Sequence, residues 1–146
     1  MNIVDNKLIP QEISHDSVLV RLASAYFSVA KRLEQKTHCS YTRGFIMSTL
    51  RNGAALNQNQ IATLLGFDRT VVHRAIKAMV REGLASEKNA DTGRAILVRL
   101  TPKGNKYREH LIKERKAADE KLRKGLSPKE HATLLRLLKV VEDVQF

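Results

Sequence analysis

The strongest constraint on the fold is a switch of hydrophobic period near Gly83, just after two short helices with well-marked ends. Asn57 is an N-cap and Gln60, three residues later, completes a capping box, which predicts a helix over residues 58–65 with Ile61, Leu64 and Leu65 as its apolar positions. Gly66 stands where a helix end calls for a left-handed residue. After Phe67, Asp68 caps a second helix, expected from Arg69 to Glu82 and ended by Gly83. Beyond it the period drops to two. Residues 84–89 and 95–100 read as strands joined by the turn-rich Ala90-Asp91-Thr92-Gly93. In the second strand Ile96, Val98 and Leu100 point one way, Leu97 and Arg99 the other.

The flanks are helical. Residues 1–13 read as an irregular arm. From about His15 to Lys36, Leu19, Leu22, Ala23, Tyr26, Ala30 and Leu33 make one apolar face. A helix from about Tyr41 to Leu50 is ended by Asn52-Gly53. Thr101-Pro102 opens a long helix to about Lys124, with Pro at its first position and Gly125 after it. Ser127-Pro128-Lys129-Glu130 starts the last, to about Val144, with Leu134, Leu137, Leu138 and Val141 on one face. The expectation is a mainly α chain with one small β-hairpin, in a single domain of 146 residues. A chain of that size buries roughly two thirds of its unfolded surface and needs neither disulfide nor metal to fold. The lone Cys39 cannot form an intramolecular bridge, which fits a reducing compartment. The opening MNIVDNKLIPQEIS has no apolar run of a leader peptide, and no stretch approaches the roughly 20 apolar residues of a membrane span. The expected location is the cytoplasm, with no membrane partner.

Charge points to the partner. The 26 Lys and Arg against 15 Asp and Glu give +11, and a small domain this basic suits a polyanion. Location decides what kind. In the helix after Asp68, Val72, Ala75, Ile76 and Met79 share one face at about 100° per residue. Thr70, His73, Arg74, Lys77 and Arg81 lie on or near the opposite side, which holds three fixed cations and no acid. Hydroxyl, imidazole and guanidinium groups suit phosphate and base-edge contacts in a major groove. Val71 flanks that face, placed to meet a thymine methyl. Two short helices, a tight turn and a following hairpin make a winged helix-turn-helix, which predicts double-stranded DNA as the partner.

Residues 56–104, LNQNQIATLLGFDRTVVHRAIKAMVREGLASEKNADTGRAILVRLTPKG, resemble the DNA-binding core of the MarR family of bacterial transcription regulators. Leu100-Thr101-Pro102-Lys103-Gly104 is similar to that family's strand-to-helix junction, and Gly125-Leu126-Ser127-Pro128-Lys129-Glu130 to the joint of its last two helices. The resemblance implies a winged helix-turn-helix core over about residues 53–101. It implies a homodimer built from about residues 1–36 and 102–146, and a repressor of a pseudo-palindromic operator. It implies Arg69, Thr70, His73, Arg74 and Lys77 as recognition-helix contacts, with the wing along the minor groove. The family's Asp-x-Arg wing triplet, with a further Arg between, falls here on Thr92-Gly93-Arg94. Arg94 matches; Gly93 and Thr92 do not, so the wing tip is less cationic than the family's. The resemblance also implies a small aromatic or anionic effector, for which Tyr26, His38, Tyr41 and Arg43, around the first inter-helix junction, are the candidate ligands.

Other readings carry less weight. Cys39 is a candidate redox switch, although a lone Cys is more often a small buried hydrophobe. His38, Cys39 and His110 lack the paired spacing of a metal site, so neither metal nor other cofactor is expected. His15 and His131 read as surface or helix-end residues. No phosphate-cradling Gly loop, nucleophile elbow or HExxH is present, so no enzyme is expected. The serious rivals are a non-specific architectural DNA binder and a winged helix used for protein contact.

Overall fold

The computed structural model describes residues 17–145; the expected arm and His15 lie outside them. The described elements run α1 (Val18–Thr37), α2 (Tyr41–Thr49), a 3-10 turn (Arg51–Gly53), α3 (Gln58–Leu65), α4 (Arg69–Arg81), β1 (Ala85–Asn89), β2 (Ile96–Leu100), α5 (Pro102–Lys124) and α6 (Pro128–Asp143). The order matches the mainly α expectation, and boundaries shift by a residue or two, as frayed ends do. The chain divides into two compact units, the first ending at Tyr41 and the second starting at Thr42.

In the first unit Ser17 caps α1 by accepting from the Val20 N–H at 3.4 Å, and His38 closes it in a left-handed conformation, its N–H on the Glu34 carbonyl at 2.7 Å. Val18, Leu19, Leu22, Tyr26 and Phe27 are all solvent-exposed, so the apolar side of α1 is uncovered.

The core of the second unit gathers Ile46, Met47 and Leu50 from α2 and its C-terminus, Ile61 from α3, Val72, Ile76 and Met79 from α4, and Val98 from β2, all fully buried. Ile46 and Leu50, and Val72, Ile76 and Met79, recur at i+3 or i+4 spacing, the apolar stripe a packed helix needs. The two strands pair antiparallel from Ala85↔Leu100 to Asn89↔Ile96. Leu56 adds a short third rung that the sequence did not announce. Its N–H donates to the Val98 carbonyl at 3.2 Å, and Val98 N–H donates back to its carbonyl at 2.8 Å. The residue entering α3 is thereby stitched to the hairpin.

α5 is tied to the same core at its start. The Thr101 hydroxyl donates to the Gly83 carbonyl at 2.6 Å and accepts from Gly104 N–H at 3.0 Å. Lys103 Nζ donates to the Glu82 carbonyl at 2.7 Å, placing a cation at the C-terminal end of α4. Farther along, the Arg115 guanidinium stands 5.6 Å from the Phe45 ring centroid. α6, capped by the full Ser127–Glu130 box, buries none of its residues; Leu134, Leu135, Leu137 and Val140 are exposed.

Candidate nucleic-acid interface

α4 is built to stand with one side inward. The Asp68 carboxylate accepts from the N–H groups of Thr70 at 2.7 Å and Val71 at 3.4 Å. Those bonds to the charged form hold its carboxyl below the usual value of 3.8. Gly66 precedes it at φ +63°, a left-handed turn that glycine takes without strain. Val72, Ile76 and Met79 are buried, and α4 packs against α3 and β1. The outward side then presents Arg69, Thr70, Val71, His73, Arg74, Lys77 and Arg81, all exposed. The expected cationic face is therefore open within the protomer, and its apolar face is covered.

Two of its members are not bare. Lys77 Nζ sits 2.7 Å from a Glu87 carboxylate oxygen on β1. The other Glu87 oxygen accepts from the Gln58 side-chain amide at 2.9 Å. The amide oxygen of Gln58 lies 3.0 Å from His73 Nδ1. The absence of acids on this face holds for the helix itself, but β1 supplies one from across the turn. The Lys77 contact, then that of Gln58, keeps the Glu87 carboxyl below the usual 4.5, with partial burial acting the other way. Glu87 and Gln58 escaped the sequence reading. The one available signal was parity: Glu87 shares the inward register of Ala85 and opposes buried Val98.

The hairpin closes through Ala90 N–H on the Ala95 carbonyl at 2.8 Å, with Gly93 at φ +90° in the tip. Arg94 is exposed beside it. Lys88 and Arg99, also exposed, share the outer parity of the two strands, opposite Glu87 and Val98.

The candidate effector residues divide between the units. Tyr26 packs edge-on against Phe27 and Tyr41, with centroids at 5.6 and 6.0 Å, and His38 is the exposed C-cap of α1. Arg43 belongs to the second unit and makes a two-point contact with Glu82, at 3.2 and 2.5 Å, which engages the guanidinium edge an anion would need. Cys39 is buried and its thiol donates to the Ser40 carbonyl at 3.5 Å. Among the described residues no three His, Cys, Asp or Glu side chains converge as metal ligands, and no helix is long and apolar enough to cross a membrane.

No family model matches the sequence, and no curated protein does. Solved structures do. The chain is similar to MepR of S. aureus in its complex with DNA at 21% identity and TM-score 0.75, over 88% of this chain and 98% of that one. It is similar to BpsR of Bordetella bronchiseptica, whose DNA binding is regulated by 6-hydroxynicotinic acid, at 19% identity and TM-score 0.71, over 87% and 100%. A MarR-family transcriptional regulator from Silicibacter pomeroyi matches at 20% identity and TM-score 0.62, over 87% of each chain. The fold of this chain is that of the MarR-family winged-helix regulators.

Proposed function

We propose that this chain is a sequence-specific, double-stranded-DNA-binding transcription regulator rather than an enzyme. It acts in the cytoplasm as a homodimeric repressor on a pseudo-palindromic operator, with affinity set by a small aromatic or anionic effector. One observation carries the DNA reading: α4 buries Val72, Ile76 and Met79 and leaves Arg69, Thr70, His73, Arg74 and Lys77 outward, next to a hairpin bearing Arg94. A major groove accepts a helix with such a face, and its donors match phosphates and base edges. The fold shared with MepR, solved on DNA, and with BpsR supports the same reading. Burial of Cys39 does not favour a redox switch, since reactive thiols are partly exposed.

Selection of bound sequences from random duplex DNA, followed by competition against unrelated DNA at physiological salt, tests the proposal. The expected outcome is a twofold-symmetric site preferred by ~10³ or more. Arg74→Ala should cost ~1–3 kcal/mol on that site and relax its selectivity, whereas Arg94→Ala should weaken all sequences alike. Equal affinity for every duplex would make the protein an architectural binder, and no DNA binding at all would leave the wing for protein contact.

A further inference from the structure

We infer that Glu87 is a specificity-determining positioning residue, which holds Lys77 directly as a fixed donor, and His73 through Gln58 in a fixed orientation, toward base edges. The inference rests on the DNA-binding reading above and concerns the same face of α4. Three elements meet at one carboxylate: Lys77 Nζ from α4 at 2.7 Å and the Gln58 amide from α3 at 2.9 Å both point at Glu87 on β1. Gln58 passes the constraint on to His73 Nδ1 at 3.0 Å. The Glu87 side chain is only 16% exposed, while that of Lys77 is 50% exposed, so the acid is walled in and the ammonium keeps an open side.

An acid beside a DNA-binding surface is costly if cations serve only to neutralise phosphates. Lysine is a flexible point charge with three donors, and left alone it follows the nearest phosphate, whatever the sequence. Paired with Glu87 it retains two N–H donors but little net charge, and the fan of positions open to it is narrowed. Such a group gains little from a phosphate and much from a base acceptor at the right place. Gln58 does the same for His73: an imidazole whose Nδ1 is engaged by the amide presents its Nε2 edge in one orientation. Electrostatic attraction is thus traded for geometry at two positions of one face, while Arg94 on the hairpin remains to supply sequence-blind attraction.

Glu87→Gln tests this, because it removes the charge and keeps the shape and the capacity to bond Gln58. Binding of the full-length protein to its selected site and to unrelated duplex is measured as a function of salt. Freed Lys77 becomes one more phosphate counter-charge, so the salt slope on unrelated DNA should steepen by about 0.9. Affinity for unrelated DNA should rise, and the specificity ratio should fall roughly fivefold or more, the scale of one lost base contact. In a Lys77→Ala background the same substitution should change neither slope nor affinity. An equal gain in that background would mean that Glu87 merely repels DNA, and an unchanged slope in the single variant would mean that Lys77 was never held; either overturns the inference. Should Glu87→Gln fail to fold, Lys77→Met carries the test. The ratio should fall by the same factor with the slope intact, and a slope shallower by about 0.9 would show Lys77 to be an ordinary phosphate contact. Wild-type protein that binds no DNA refutes the regulator reading itself; wild-type protein that binds DNA, with variants that behave as it does, refutes only the role of Glu87.

Discussion

A methyl group on Gly104 would overlap the carbonyl oxygen of Leu84 and lie 2.9 Å from its carbon, both of them backbone atoms that cannot swing aside. The first turn of α5 therefore touches the start of β1 directly, as the Thr101 N–H on the same Leu84 carbonyl at 3.1 Å requires. Gly66 is different: a Cβ there meets nothing within 4 Å, and only φ +63° disfavours a side chain. Gly104→Ala should cost ~1–3 kcal/mol through overpacking, and Gly66→Ala about 1 kcal/mol through left-handed strain. Denaturant titration monitored by circular dichroism reads both. Equal and small losses would mean that the α5–β1 approach relaxes easily. The need for glycine at 66 is legible in the sequence, because a helix end announces itself locally. The need at 104 is not, because Leu84 lies twenty residues back.

Helices and their caps were the most legible level, for the same reason. Asn57 with Gln60, Asp68, Thr101 and Ser127 with Glu130 each satisfy donors within three residues, and all act as caps. The apolar face of α4 follows from period alone, whereas on α3 the period misleads: Ile61 is buried with Ala62 beside it, but Leu64 faces out. What the sequence hid were pairings between elements: Leu56 on Val98, Lys77 on Glu87 and Arg43 on Glu82, each fixed by how helices and hairpin pack. The caps and the β1 acid lead to one pH dependence. Asp68, Glu87 and Glu130 all have carboxyls held below their usual values by hydrogen bonds to the charged form. The unfolded chain then binds these protons more tightly, so folding stability rises with pH in this range. Their contribution is complete above the ordinary values of 3.8 and 4.5 and is lost as pH falls through the lower folded-state values. The melting temperature should be flat from neutral pH down to the ordinary carboxylate range and drop below it. Asp68→Asn, which keeps a cap without a titrating group, should flatten part of that drop. A wild-type melting temperature unchanged down to about pH 3 would show that these carboxylates are not held as described.

Over the molecule as a whole, the polar and apolar surfaces are sorted by element. The cations that face outward on α4 belong to the second unit's core assembly, where exposed apolar side chains such as Leu64, Val71 and Ile96 stand singly, whereas the flanking helices α1 and α6 carry several each. On α1, Leu19 is 55% and Phe27 60% exposed, and on α6, Leu135 is 55% exposed, with Leu134, Leu137 and Val140 also open. Scattered apolar residues on a surface need no explanation, but faces of this kind along two helices are the mark of an interface. The proposed occupant is a second copy of this chain, since a twofold operator needs two α4 helices about one DNA turn, roughly 34 Å, apart. An interface made from whole helices falls in the obligate class, of order 2,000 Å² or more, for which the monomer is not populated at working concentrations. Sedimentation at micromolar protein should therefore give a dimer of the 16.5 kDa chain. Leu135→Asp together with Leu137→Asp, at positions exposed in the protomer, should leave the core of the second unit folded and shift the species toward monomer. That monomer should keep weak, salt-sensitive binding to any duplex and lose most of the preference for a symmetric site, because one recognition helix reads only a half-site. A stable wild-type monomer, or a double variant that dimerises as before, would place the interface elsewhere and remove the geometric basis for a palindromic operator.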